Sequence, residues 1–362
     1  MTLATVLEFV RVRRVLLLAT LSISSLSCEQ HQAAAAPHDR SHANGYTTST
    51  IALPGAPADG ILMDFLLYDP RTKTVWIPAG NSGSVDVLDT RTDKLTRIEG
   101  FPTKEIDRHG TKRTVGPSSV TLGDHGVYVG NRGDSTICAI DDATLVKGAC
   151  GTLDSMPDGI AYVAKTKEVW VTTPRDKSIR ILDARTLAQK AKLSFDGEPE
   201  GYAVDAARGR FYTNLEDKDE TLAIDLASHK TVATWHAGCG ERGPHGVRLD
   251  VAAGMLFIAC STKVETMNVG KDGAIVGSVD TGDGVDDLDY VPSAHLVYAG
   301  AAEAGTLTIA AVDAKGALSV TAVVPTRNGA RNGVVAESGK VYLAHGKGSE
   351  LVVAAPVRSV PR

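Results

Sequence analysis

A phrase of two short strands joined by a polar turn repeats along this chain, and its period constrains the fold more than any other feature. In the clearest copy, Val127-Tyr128-Val129-Gly130-Asn131 is followed by Arg132-Gly133-Asp134-Ser135-Thr136 and then by Ile137-Cys138-Ala139-Ile140-Asp141. Alternating β-branched and aromatic residues mark the strands, and Gly133 and Asp134 mark the turn. Val75-Trp76-Ile77 leads in the same way to Val85-Asp86-Val87-Leu88-Asp89, and Val169-Trp170-Val171 to Ile179-Arg180-Ile181-Leu182-Asp183. Weaker copies start at Phe211, Leu256, Val297 and Val341, so successive starts differ by 52, 42, 42, 45, 41 and 44 residues. A period in the low forties with several short strands per unit predicts an all-β fold, a seven-bladed β-propeller with four-stranded antiparallel blades. A composition with 36 glycines and 43% hydrophobic residues suits many short strands and tight turns.

Each blade should place its first strand at the channel and its fourth at the rim. Outer strands are expected at 95–98, 151–154, 191–195, 231–236, 274–279 and 317–324. The last unit runs out after three strands, at 351–355, whereas residues 46–53 belong to no unit. That N-terminal strand is expected to complete the last blade and close the ring, removing the exposed edges of an open array. The domain boundaries follow: 1–27 a signal peptide, 28–44 a tether, 45–357 the propeller and 358–362 a tail.

The stretch from Tyr128-Val129-Gly130-Asn131 to Ile140-Asp141-Asp142-Ala143-Thr144 resembles the repeat of the YVTN family (YncE-like) of propellers. Residues 85–92 and 179–186 fit its second half, and the resemblance spans 46–357. It implies the propeller fold and only loosely the function, because one such scaffold carries many functions; between the two functions below it favours non-catalytic binding.

Arg11, Arg13 and Arg14 precede a short apolar run at 15–26, the pattern of a signal peptide. The run ends at Ser25-Leu26-Ser27-Cys28, which resembles a lipobox, with Ser25 where leucine is favoured. Two readings stay open: Cys28 carries a lipid anchor, or the protein is simply secreted. Either places it in the periplasm or at the cell surface. The remaining cysteines suit an oxidising compartment. A hairpin centred on Thr144 would set Cys138 opposite Cys150, and Cys239 and Cys260 would share one face of a later blade. Two disulfides, Cys138–Cys150 and Cys239–Cys260, are expected; reduced buried pairs are the alternative.

The register also points to a site. Eleven residues before five of the second-strand starts stand Asp64, Asp158, Glu200, His245 and Asp286; nine residues before the other two stand Ser118 and Asn332. These seven positions should ring the channel mouth. Glycine follows at Gly159, Gly201, Gly246 and Gly333, and proline precedes at Pro157, Pro199 and Pro244. The bland explanation is that Asp and Asn before Gly are turn formers. Four carboxylates and an imidazole at one opening repel one another unless compensated. A Ca²⁺ ion held by several of Asp158, Glu200, His245 and Asp286 would do so, or another divalent cation that accepts imidazole. So would Arg132, Arg175, Arg327 and Arg331, or plain solvation. Asn131, Asn214 and His345, at second-strand ends, should face the same mouth. The long connection at 101–117, rich in charge, is either a binding loop on that face or a solvated insertion.

Two functions follow. One is an exported, monomeric, non-catalytic protein that binds a small molecule or a protein partner over its top face. The other is a metal-dependent hydrolase or lyase at the mouth, an arrangement that resembles gluconolactonase-like propellers. No G-x-S-x-G or H-E-x-x-H motif is present. A net charge of −5 without a basic stripe speaks against a nucleic-acid partner. Membrane contact is expected only through the N-terminal lipid.

Overall fold

The computed structural model describes residues 42–43, 45–108 and 110–357. The signal peptide at 1–27, Cys28, nearly all of the tether and the tail at 358–362 lie outside the described residues.

The strands group into seven blades. Blade 2 shows the plan: Pro117–Leu122 is innermost, then Val127–Asn131, Thr136–Ile140 and Lys147–Thr152 at the rim, each antiparallel to its neighbour. Blade 1 comprises Leu67–Asp69, Thr74–Ala79, Ser84–Asp89 and Lys94–Ile98, and blade 3 Ile160–Val163, Glu168–Thr173, Ser178–Asp183 and Gln189–Ser194. Blades 4, 5 and 6 begin with the inner strands Pro199–Asp205, Pro244–Asp250 and Val285–Val291. Blade 7 is built from Ala330–Val335, Val341–His345 and Glu350–Pro356. Its fourth strand is Tyr46–Ala52, paired from Tyr46 opposite Pro356 to Ala52 opposite Glu350. The ring is therefore closed by its N-terminal strand, and His42–Ala43 adds a short fifth strand outside it.

The core lies between blades, because each sheet buries both faces against its neighbours. Trp76, Val85, Val120, Val127 and Val129 pack between blades 1 and 2. Trp170 and Phe211 stack between blades 3 and 4 with ring centroids 4.7 Å apart. The Trp170 indole N–H donates to Glu168 Oε2 at 3.1 Å, which satisfies the polar atom of an otherwise apolar contact. Each large side chain so buried contributes about 1.5–3 kcal/mol.

Both expected disulfides are present. Cys138 and Cys150 stand directly opposite on the third and fourth strands of blade 2. Cys239–Cys260 ties the loop entering blade 5 to the end of that blade's second strand. Two expectations are corrected. The outer strand of blade 2 runs Lys147–Thr152 rather than 151–154, because Gly148, Ala149 and Gly151 supply no alternation to mark its start. The connection at 101–117 is a hairpin, Lys104–Arg108 paired with Thr111–Val115, and the Gly110 N–H donates to Asp107 Oδ1 at its turn. No helix among the described residues is long and apolar enough to cross a membrane.

Candidate functional site

Inner strands begin at one face, here the top face, and the connection between the second and third strands of each blade returns to it. In blades 4 to 7 the ladder between the first and second strands slips by one residue at this end. Pro199 faces Leu215 and Tyr202 faces Thr213; Pro244 faces Cys260 and Val247 faces Ile258. The same slip falls between Val285 and Leu288 and between Arg331 and Val334. The residues left over are Glu200-Gly201, His245-Gly246, Asp286-Asp287 and Asn332-Gly333. A β-bulge re-aims the side chain it carries. Blade 2 slips at the same end, Gly130 facing Ser119 and Asn131 facing Pro117, which leaves Ser118 over. Five of the seven expected mouth residues thus sit on bulges, while Asp64 and Asp158 just precede their inner strands.

The glycines turn out to serve close approach rather than turns. A Cβ on Gly201 would lie 2.2 Å from the His245 carbonyl oxygen, and one on Gly246 would lie 2.0 Å from Asp287 Oδ1. Bare backbone lets adjacent inner strands crowd together near the axis. Asn214 then clamps the result, its side-chain amide donating to the His245 carbonyl at 2.6 Å.

Most of the ring is brought together, in two groups. In the first, Arg132 donates to Asp64 at 2.7 Å and also pairs with Asp158, while Asn332 Nδ2 donates to Asp64 at 3.2 Å and to Asp286 at 2.8 Å. Arg331 pairs with Asp286 at 2.9 Å. In the second, His245 Nδ1 lies 3.3 Å from Glu200 Oε2 and 3.5 Å from Glu216 Oε1, and Nε2 lies 3.1 Å from Ser261 Oγ. Ser118 is buried and its carbonyl accepts from the Phe65 N–H, so it serves the backbone beside the ring.

Electrostatics separates the groups. Burial pushes the Glu200 carboxyl up, to about 8; the hydrogen bond to His245 opposes the rise, and Asp286 and Glu216 reinforce it. Burial by itself would lower the His245 imidazole, but Glu200 and Glu216 outweigh it and raise the group to about 10. Arg331 is likewise raised, burial being overcome by Asp286, Asp64 and Glu200. Among the described residues, the carboxylates of Asp64, Asp158, Glu200, Glu216 and Asp286 pair only with Arg132, Arg331 and His245 as cations. Arg327 pairs with Glu350 instead, and Arg175 is exposed with no ion pair to the ring, so two of the four cations expected to compensate do not. His345 pairs with Glu350 at 2.9 Å, away from His245, and Asn131 donates to the Pro102 carbonyl.

Below the ring the axis is filled. Phe65 of blade 1 and Tyr202 of blade 4 reach towards one another, with ring centroids 6.0 Å apart. Arg248 of blade 5 donates to both oxygens of Asp287, at 3.1 and 2.8 Å, and stands 3.7 Å from Asp289. The mouth is therefore a cup with an acidic wall and an aromatic floor.

Sequence reasoning missed Glu216 and Ser261. A signal existed: Arg132, Glu216 and Ser261 each follow directly the last residue of a second strand, and all three touch the ring. Among the described residues, the compact set of potential metal ligands is Glu200, Glu216 and His245, whose ligand atoms lie within 4.8 Å of one another. Asp158 and Asp286 are instead held by Arg132, Arg331 and Asn332. One imidazole with two carboxylates suits a transition ion better than Ca²⁺, which seeks six to eight oxygens.

Among solved structures, the chain matches one from a mitotic checkpoint complex at 15% identity and TM-score 0.68, covering 90% of this chain and 99% of that one. It matches a chain of Kuenenia stuttgartiensis hydrazine synthase at 14% and 0.65, over 82% and 95%. It also matches virginiamycin B lyase from Staphylococcus aureus at 12% and 0.66, over 86% and 99%. At these identities the likeness is one of fold alone. No family model matches the chain, and neither does any curated protein.

Proposed function

We propose that this is an exported, non-catalytic binding protein whose cup receives a positively charged group, borne by a small ligand or by a protein docked on the top face. The observation that carries this reading is the excess of carboxylates over cations in the cup, concentrated at Glu200, Glu216 and Asp286. A cation entering there replaces a proton on Glu200 and screens its neighbours. Export is supported by the two disulfides, which suit an oxidising compartment, and by the signal-like residues 1–27. Acylation of Cys28 would tether the protein to a membrane surface, and the YVTN-like repeat supports a binding role. Calorimetric titration with spermidine tests the reading. Saturable binding with proton release near neutral pH, lost in the Glu200→Gln/Glu216→Gln double variant, is the expected result. No binding, or binding indifferent to that variant, overturns it.

One observation favours a second reading, the hydrolase or lyase. With Nε2 donating to Ser261, the Nδ1 lone pair of His245 would face Glu200 and Glu216, as in a metal site whose imidazole is oriented by an outer hydrogen bond. Glu200, Glu216 and His245 would hold the ion, which would supply Lewis-acid polarisation of a carbonyl. Lactone turnover that requires Zn²⁺, ceases with EDTA and is lost in Glu200→Gln would establish this reading in place of the first.

A further inference from the structure

We propose that the opposite face carries a second binding site, in which the cleft between blades 2 and 3 takes an apolar small molecule bearing one positive charge. The cleft has a volume of about 920 Å³ and a predominantly apolar wall. Small-molecule sites span roughly 300–1,000 Å³. It opens where the first and second strands, and the third and fourth, are joined in both blades, at the strand ends remote from the cup.

Its shape is set by side chains held from behind. Tyr128 and Tyr162, from the two blades, stack with centroids 5.9 Å apart. Their hydroxyls are already engaged: Tyr128 donates to the Ala184 carbonyl at 2.8 Å, and Tyr162 to Asp124 Oδ2 at 2.6 Å. The Tyr128 ring lies over Gly123, where a Cβ would come within 2.6 Å of it. What the pair offers a ligand is therefore carbon surface. Val146, 61% exposed, forms an apolar lip that nothing among the described residues covers.

The charges around the cleft select the ligand. Lys167 is paired with Asp124 at 2.6 Å, so these two cancel. Asp141 and Asp183 each use Oδ1 to accept the bonds of their own turns, from Thr144 and Thr186, and the second oxygen of each carboxylate has no partner among the described residues. Arg185 and the imidazole of His125 are the remaining basic groups of the lining. With that imidazole neutral, two carboxylates against one guanidinium leave the cleft with one negative charge in excess, beside electron-rich tyrosine rings. A cation on an apolar body complements both.

Thioflavin T, a flat monocation, serves as the probe, with the anion 8-anilinonaphthalene-1-sulfonate as its counterpart. Thioflavin T fluorescence should rise saturably, while the anion binds at least tenfold more weakly. Arg185→Glu changes an exposed side chain and should tighten thioflavin T at least threefold. Gly148→Trp, on the exposed outer strand, sets an indole at the lip and should abolish the signal. Spermidine binding at the cup, unchanged in both variants, reports that the ring is intact. Equal binding of the two dyes, or thioflavin T binding indifferent to both variants, overturns the proposal. Failure of spermidine binding in the parent protein bears on the cup alone.

Discussion

The cup and the blade 2–blade 3 cleft stand at opposite ends of the strands and are built from opposite materials. The cup is lined by carboxylates, arginines and a histidine, drawn from every blade through two recurring positions, one near the start of the inner strand and one directly after the second strand. The cleft presents a predominantly apolar surface from two blades, formed by residues of the repeated phrase such as Tyr128 and Ile140 together with the loops that flank it. Ring closure creates the cup, because its hydrogen bonds cross from blade 7 to blade 1, where the Asn332 amide donates to Asp64. Contact between two neighbours suffices for the cleft. A repeat fold thus makes its axial site collectively and its lateral sites privately.

That contrast can be broken at several points. The greatest effect should come from deleting the closing strand Tyr46–Ala52, which removes seven ladder pairs and opens the ring. At about 1 kcal/mol per hydrogen bond lost, plus the apolar burial of Ile51, the cost approaches the whole stability of a domain. Calorimetry should show no cooperative transition. A ring that still melts cooperatively would mean that blade 7 does not need its fourth strand.

Next come the disulfides, one of which belongs to each site. Cys239–Cys260 spans 21 residues and fixes the strand end from which Ser261 meets His245; Cys138–Cys150 spans 12 and braces the strands of the cleft wall. Loop-closure entropy assigns them about 3.3 and about 2.8 kcal/mol. Paired Ser variants should lower the melting temperature by comparable amounts yet divide by function. The first should weaken spermidine and spare thioflavin T, and the second should do the reverse. If each variant weakens both ligands, the two sites are not independent.

Arg132→Ala strips Asp64 and Asp158 of their shared cation and should cost about 1–3 kcal/mol. The same change makes the cup more acidic, so spermidine should bind more tightly to a less stable protein. Weaker binding would place Arg132 among the ligand contacts.

Glu200→Gln is the subtlest change, seen mainly in pH dependence. Raised from 4.5 to about 8, Glu200 keeps in the folded state a proton that the unfolded chain gives up between those values. Stability should therefore fall as pH rises through that window, while cation binding strengthens. His245, raised from 6.5 to about 10, contributes stability that is complete below 6.5 and lost as pH climbs through 10. In Glu200→Gln the lower part of this slope should vanish from thermal melts, and spermidine affinity should drop about tenfold, or about 1.4 kcal/mol. An unchanged slope would show that another group titrates there.

The amino-acid sequence by itself determined the period of the repeat, hence the number of blades, the closing strand and both disulfide pairs. These depend on local alternation and on counting, which a linear chain records. It also placed Asp64, Asp158, Glu200, His245, Asp286 and Asn332 at one end of their blades, because strand register carries over from blade to blade. Only the tertiary structure decided what those residues do there. The bulges that turn Glu200 and His245 inward, the pairing of Asp158 with Arg132 and the arrival of Glu216 all depend on how neighbouring sheets abut. The cleft was illegible for the same reason: Tyr128 and Tyr162 read as ordinary strand residues until two blades set their rings side by side.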